Sequence, residues 1–325
     1  MILLRRVIDY LKALYWIHSG KGFHKYEQDL VNKFYSVSPC DELIERNVIV
    51  MIDGRQIHGG LSDRVRGICS VYGFCKENNI PFYINHIYPF NLQDYLQPNL
   101  VDWVIDSGSI IYNTNVAKPV CVNDWMFSAN LHKYYLRNVS KEHKQIHLYT
   151  NAYFDDANFR CNFNELFKPS PTLQSEIEQN IQAINGDFIA MVFRFQQLLG
   201  DFKETGYQIL AKDEQDELIA ICLNKVKELY DTFHRTVKVL VTSDSNIFLI
   251  EVNKLDFVYI IPGQVVHMDH TADASFDTYM KSFVDLFLLS KAKKIYLMKS
   301  GQMYMSGFAK RAAMVNDILY EEIIF

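Results

Sequence analysis

The sequence predicts an α/β fold built from two Rossmann-like domains that face a cleft. Three observations predict it. Short continuous apolar runs such as Asn47–Asp53 (NVIVMID) and Val237–Thr242 (VKVLVT) recur along the chain, the pattern of buried parallel strands. Turn residues follow each run, and stretches of helical apolar spacing follow the turns. The chain has 325 residues, about twice the length of an ordinary domain, and the same grammar restarts near residue 170. Domains are therefore expected over residues 1–170 and 171–325.

The opening segment places Leu4, Val7, Ile8, Leu11, Leu14 and Tyr15 on one helical face, with Arg5, Arg6, Asp9 and Lys12 between them. Those charges exclude a secretory hydrophobic core. Residues 1–17 read either as an amphipathic helix on an anionic membrane surface or as a helix packed on the protein body. A strand over Asn47–Asp53 is followed by His58-Gly59-Gly60-Leu61-Ser62-Asp63-Arg64 and a helix through Val65, Ile68, Val71, Tyr72 and Cys75, with Ser62 or Asp63 as its N-cap. Further strands are expected at Ile80–Ile84, Val101–Ile105 and Gln145–Thr150. Residues Phe154–Pro171 read as irregular, and the helix after them runs to Asn185-Gly186.

In the second half, Phe188–Phe195 (FIAMVFRF) reads as a strand and Asp213–Thr232 as a helix. Strands follow at Val237–Thr242, Phe257–Ile261 and Lys294–Met298, with helices at Thr278–Ser290 and Gly307–Tyr320.

Composition narrows the function. Lys+Arg is 33 against Asp+Glu 38, a net charge of −5, whereas a general nucleic-acid binder needs a cationic surplus. The six cysteines (Cys40, Cys69, Cys75, Cys121, Cys161, Cys222) lack CxxC spacing, so a structural zinc site is not expected. They read as reduced, mostly buried thiols of a cytoplasmic protein. No apolar run reaches the roughly 18 residues of a membrane span.

Open α/β sheets bind ligands at the carboxyl ends of their strands, and four such ends carry suggestive residues. Gly59-Gly60, ahead of a helix N-terminus, suits close approach of an anion, although alone it reads as a tight strand-to-helix turn. Arg194, in an apolar strand, needs a compensating charge: a bound diphosphate, or a carboxylate in a pair that holds the two domains. Asp244, in Thr242-Ser243-Asp244-Ser245, suits either a base or ribose contact or an N-cap. Ser306-Gly307-Phe308 opens a helix and offers either a phosphate cradle or a plain cap, with Lys310 and Arg311 on a solvated face.

Other chemistries find less support. His267-Met268-Asp269-His270 lacks the HExxH spacing of a zinc site and reads as a loop. No Gly-x-Ser-x-Gly elbow is present. Neither Asp155-Asp156 nor Asp244-Ser245-Asn246 forms a DxD metal pair, so no metal ligand is expected.

Taken in order, these strand ends resemble the motifs of the fucosyltransferase superfamily, which includes α-1,2-, α-1,6- and protein O-fucosyltransferases. Gly59-Gly60-Leu61-Ser62-Asp63-Arg64 resembles its glycine loop, and Val192-Phe193-Arg194-Phe195 its His-x-Arg-Arg strand. Val241-Thr242-Ser243-Asp244 resembles its acidic strand end, Asp285–Ser290 (DLFLLS) the helix that precedes its last motif, and Ser306-Gly307-Phe308-Ala309 its Ser-Ser-Phe-Ser turn. The resemblance spans residues of about 55 to 315.

It implies a GT-B fold with no essential metal and no cofactor beyond a GDP-sugar donor, held mainly by the C-terminal domain. Arg194 would bind the diphosphate and assist its departure. Asp244, Ser306, Gly307 and Phe308 would contact the nucleotide, and Gly59, Gly60 and Arg64 would face it from the acceptor-side N-terminal domain. The implied partners are a nucleotide-sugar donor and a glycan acceptor. Tyr and Trp residues between Tyr83 and Trp125 are candidates to stack on the acceptor.

The chain departs from the family pattern at Val192 (His in the family), Phe195 (the second Arg) and Asp63 (Asn). Those departures leave a non-catalytic sugar-nucleotide or glycan-binding relative as the alternative, beside a metal-dependent GT-A-type transferase.

Overall fold

The computed structural model describes residues 23–39, 45–123, 129–201, 208–265 and 275–325, with Val7, Leu11, Leu14, Tyr15 and Met268. Most of the expected amphipathic segment 1–17 lies outside these residues, as do Cys40, Trp125, His267, Asp269 and His270. The chain divides into two compact units. One comprises Met1–Gly59, Asp63–Leu92 and Gln97–Lys168, the other Gly60–Ser62, Gln93–Leu96 and Pro169–Phe325.

In chain order the elements up to residue 169 are α1 (Phe23–Phe34), β1 (Asn47–Ile52), α2 (Leu61–Glu77), β2 (Phe82–His86), β3 (Leu96–Pro98), β4 (Ala117–Val122), α3 (Ala129–Glu142), β5 (Gln145–Thr150), α4 (Phe159–Leu166) and β6 (Phe167–Pro169). A parallel sheet runs β2-β1-β5-β4, and β3 pairs with β6. Every residue of β1 and β5 is buried, because strands at the centre of a parallel sheet are covered on both faces. Helix α1 docks on β4 through buried Glu27, whose carboxylate accepts from the Cys121 amide at 3.0 Å and the Tyr135 hydroxyl at 3.1 Å.

The second unit contains α5 (Pro171–Ile184), β7 (Phe188–Phe193), α6 (Lys212–Thr232), β8 (Lys238–Ser243), α7 (Asn246–Val252), β9 (Val258–Tyr259), α8 (Phe276–Leu289), β10 (Lys294–Lys299), α9 (Gly307–Asn316) and β11 (Leu319–Ile324). Its parallel sheet runs β11-β10-β7-β8-β9. Ile189, Met191 and Phe193 alternate onto one face of β7 and pack with Cys222, Val226 and Phe248 of α6 and α7.

Several elements differ from the sequence expectation. Residues 154–171 are not irregular: α4 and β6 lie there, and Pro171 occupies the first turn of α5 behind the Ser170 cap, where its missing N–H costs nothing. Val101–Ile105 is not a strand. It makes a single bridge, Ile84 to Val104, while Trp103 is buried and donates to Leu166 O at 2.7 Å. Strand β4 went unpredicted because it contains Pro119, which a sheet accepts at its edge. The final helix stops at Asn316, where Asp317 adopts a left-handed conformation (φ 58°) and turns the chain into edge strand β11.

Cys69, Cys75, Cys121 and Cys222 are free and buried, and Cys161 is free and exposed. No helix among the described residues is long and apolar enough to cross a membrane.

His147 ties the first sheet together. Its Nε2 lies 2.7 Å from Gln145 Oε1, which can only accept, so Nε2 carries the proton and Nδ1 accepts from the Tyr35 hydroxyl at 2.6 Å. Burial, with Arg55 nearby, pushes its pKa down to about 3. The folded value lies below the unfolded 6.5, so stability is present above that pH and is lost as pH falls toward about 3. Denaturant unfolding at stepped pH should lose about 1.4 kcal/mol per pH unit from this group. The dependence should flatten in His147→Gln; an unchanged slope would refute the assignment.

Candidate functional site

All strands of the second sheet are parallel, so their carboxyl ends share one edge. Register places Phe193 opposite Ser243 and Met298, which makes Arg194 and Asp244 the first residues beyond the ladder on adjacent strands. Arg194 therefore follows the strand instead of lying within it, and this is how its charge escapes the core. Its side chain is 20% exposed, and its Nη1 lies 3.1 Å from Asp244 Oδ2. The carboxylate partner foreseen for Arg194 exists, but inside the second unit.

Asp244 is 4% exposed. Its Oδ1 accepts from the Phe195 amide at 2.8 Å and its Oδ2 from the Gln196 amide at 2.7 Å. Burial pushes this carboxyl above the ordinary carboxylate range, against the pull of Arg194 and the two amides. Asp244 does not cap the next helix. Ser245 does, accepting from the Phe248 amide at 3.1 Å and donating to Asp201 at 3.0 Å.

The chain turns at Gln196 (φ 54°) and buries the Phe195 ring against Phe193 and Phe248. Residues 192 and 195, at which the family pattern has polar groups, are thus both core positions, 5% and 0% exposed.

Beyond β10, the amide of Tyr304 donates to Arg194 O at 3.0 Å, which ties the next turn to the same edge. Ser306 then caps α9, accepting from the Phe308 amide at 3.2 Å. Gly307 is exposed and Phe308 half-buried in the first turn, whose amides suit an anion. Lys310 is exposed as expected, but Arg311 is buried, with Nη1 3.3 Å from Met314 Sδ, so the two do not share a solvated face.

In the glycine turn, Gly59 has φ +81°, and a Cβ there would sit 2.6 Å from Asp63 Oδ2. Gly60 has open space instead. Helix α2 begins at Leu61, so Ser62 and Asp63 fall in its first turn instead of capping it, and Asp63 pairs with Arg66 at 3.2 Å. Arg64 is 2% exposed. Its Nε donates to Gly59 O at 3.0 Å and its Nη1 to Tyr88 O at 3.1 Å, so this cation braces the turn.

A cluster that no sequence motif marks lies at the end of β1. Arg55 pairs with Asp53 at 3.3 Å and lies over the rings of Phe34 (4.2 Å) and Tyr112 (4.4 Å). The Asp53-Gly54-Arg55 turn was its only local signal. Of the aromatics considered for acceptor stacking, Trp103 and Tyr95 are core residues, Tyr95 stacking on Phe276 and Phe283. A cavity of about 600 Å³ in the second unit is lined by Asn180, Tyr259, Phe276 and Lys281 among others, and none of the sequence-derived candidates reaches it. Among the described residues, no group of three or more His, Cys, Asp or Glu side chains is placed to hold a metal.

The architecture is the GT-B fold, as seen in fucosyltransferases of known structure. A mutant of FUT1 from Arabidopsis thaliana in complex with GDP matches with a TM-score of 0.55 at 11% identity, over 98% of this chain and 79% of that one. POFUT1 in complex with GDP matches with 0.51 at 12% identity, over 89% and 99%. NodZ alpha-1,6-fucosyltransferase soaked with GDP-fucose matches with 0.50 at 11% identity, over 83% and 93%. No family model matches the sequence, and no curated protein matches it.

The two glycines predict opposite responses. Gly59→Ala should cost about 1–3 kcal/mol in denaturant unfolding, from backbone strain and the Asp63 contact. Gly60→Ala should fall within about 0.5 kcal/mol of the wild type. Equal losses would show that the turn does not depend on the conformation at residue 59.

Proposed function

We propose that the protein is a metal-independent, inverting glycosyltransferase that moves fucose from GDP-fucose to a glycan hydroxyl. The observation that carries this reading is Arg194, a partly exposed guanidinium at the carboxyl edge of the second sheet, anchored on one side by a buried carboxylate. The GDP-bound and GDP-fucose-soaked neighbours support it through the shared fold.

As the glycosidic C–O bond breaks, negative charge builds on the departing diphosphate. Arg194 and the first-turn amides of α9 would stabilise that charge without reorganising, because their positions are already held by protein groups. Gly307 leaves the backbone there open to a phosphate. Gly59 and Gly60 would give the same access beside the first sheet, with Arg64 acting as a brace and not as a ligand. In this reading the second unit holds the donor and residues 1–170 the acceptor. The acceptor belongs to glycan or polysaccharide biosynthesis in the cytoplasm, and residues 1–17 read either as a membrane-contacting segment or as a helix packed on the protein body.

A second reading, a binding relative without transferase activity, is favoured by the burial of Val192 and Phe195 at positions that are polar in the family pattern. Product formation across an acceptor panel separates the two.

A thermal-shift screen of GDP-, UDP-, ADP- and CMP-sugars should single out the GDP-sugars. A ligand at 100 times its dissociation constant adds about 2.7 kcal/mol of stability. A response to UDP-sugars alone would overturn the donor assignment, and loss of activity in EDTA would overturn the metal independence. Arg194→Ala should remain folded by circular dichroism and lose about 10²–10³ in donor turnover; full activity in that variant would sink the mechanism.

A further inference from the structure

The resemblance to fucosyltransferases casts Asp244 as a nucleotide contact, but its surroundings point elsewhere. Both carboxylate oxygens are engaged by the end of β7: the Phe195 amide at 2.8 Å, the Gln196 amide at 2.7 Å and Arg194 Nη1 at 3.1 Å. The carboxylate is buried beneath those three consecutive residues. Gln196 is held at φ 54°, a conformation that a non-glycine residue adopts only when its surroundings require it. One side chain just past the end of β8 thus holds both the turn after β7 and one nitrogen of the guanidinium that opens it.

A free arginine side chain carries substantial rotamer entropy, and an anion that binds it must first order it. A guanidinium already held at Nη1 avoids much of that cost. Asp244 lowers the net charge near Arg194, yet the two amides that it accepts return partial positive charge to the same spot.

We propose that Asp244 is a positioning residue, which holds Arg194 ready for the diphosphate of the donor and does not itself touch the nucleotide. This inference rests on the donor reading above.

A double-mutant cycle on the full chain tests it, with GDP as the titrant in calorimetry. Asp244→Asn and Arg194→Ala should each weaken GDP binding by about tenfold or more. The double variant should bind no more weakly than Arg194→Ala alone, because Asp244 has nothing left to position. Losses that multiply would mean that Asp244 meets the nucleotide directly, and unchanged affinity in Asp244→Asn would mean that it positions nothing; either result overturns the proposal.

A second measurement needs no variant at residue 244. In ligand-free protein, arginine side-chain NMR, assigned by the signal that Arg194→Ala loses, should show hindered rotation of the Arg194 guanidinium. Free averaging of its Nη hydrogens would refute the clip even if Asp244→Asn fails to fold. A wild type that binds no GDP would sink the donor reading and the diphosphate half of this proposal, while the NMR result would still decide whether Asp244 orders Arg194.

Discussion

The buried carboxylate of Asp244 is the constraint on which the carboxyl edge of the second sheet depends. It leaves water where strands β7 and β8 end, and burial of a charge is tolerated only when its lone pairs are filled. Here two backbone amides and a guanidinium fill them. This satisfaction joins two neighbouring strand ends, imposes the left-handed turn at Gln196 and sends the Phe195 ring into the core. Loss of the carboxylate would leave two buried amides without their acceptor, whereas loss of Arg194, which is one-fifth exposed, leaves Asp244 still held by both amides.

The same physics treats the other cations differently. Arg64 is as central to its turn as Arg194 is to its own, but backbone carbonyls of Gly59 and Tyr88 receive its donors and it is buried. Arg55 is held between an aspartate and two aromatic rings. Arg194 and Arg55 each have a buried aspartate partner and a partly exposed side chain, and Arg55 differs in lying over two aromatic rings. Charge sign by itself could not rank these residues; partner and access to solvent separate Arg64 from Arg194, and position at the carboxyl edge of the second sheet separates Arg194 from Arg55.

The main elements were legible because parallel sheets need continuous apolar strands, and β1, β7, β8 and β10 read that way, while β5 alternates Gln145, His147 and Tyr149 with Ile146, Leu148 and Thr150. What escaped were elements that break the rule for a local reason. Strand β4 carries Pro119 on an edge, and β11 places Glu321 and Glu322 in an edge strand where solvent tolerates them. Pro171, which reads as the end of an irregular stretch, opens α5 behind the Ser170 cap.

At the candidate site, the sequence by itself determined which residues lie close to the ends of apolar runs, since such runs and turn chemistry are local properties, although it kept Arg194 inside its strand. It identified Arg194, Asp244, Ser306 and the glycine turn on that ground. Only the tertiary structure decided what each does with its hydrogen-bonding groups: Arg64 turned inward, Asp244 committed to three neighbours, Ser306 used as a cap, Arg194 left partly open. The reason is physical. A charged side chain is oriented by whichever partner satisfies it at least desolvation cost. The amide partners of Asp244 lie 49 and 48 positions away, where sheet register brings them within about 3 Å, and Arg64 reaches Tyr88 24 positions on as well as nearby Gly59.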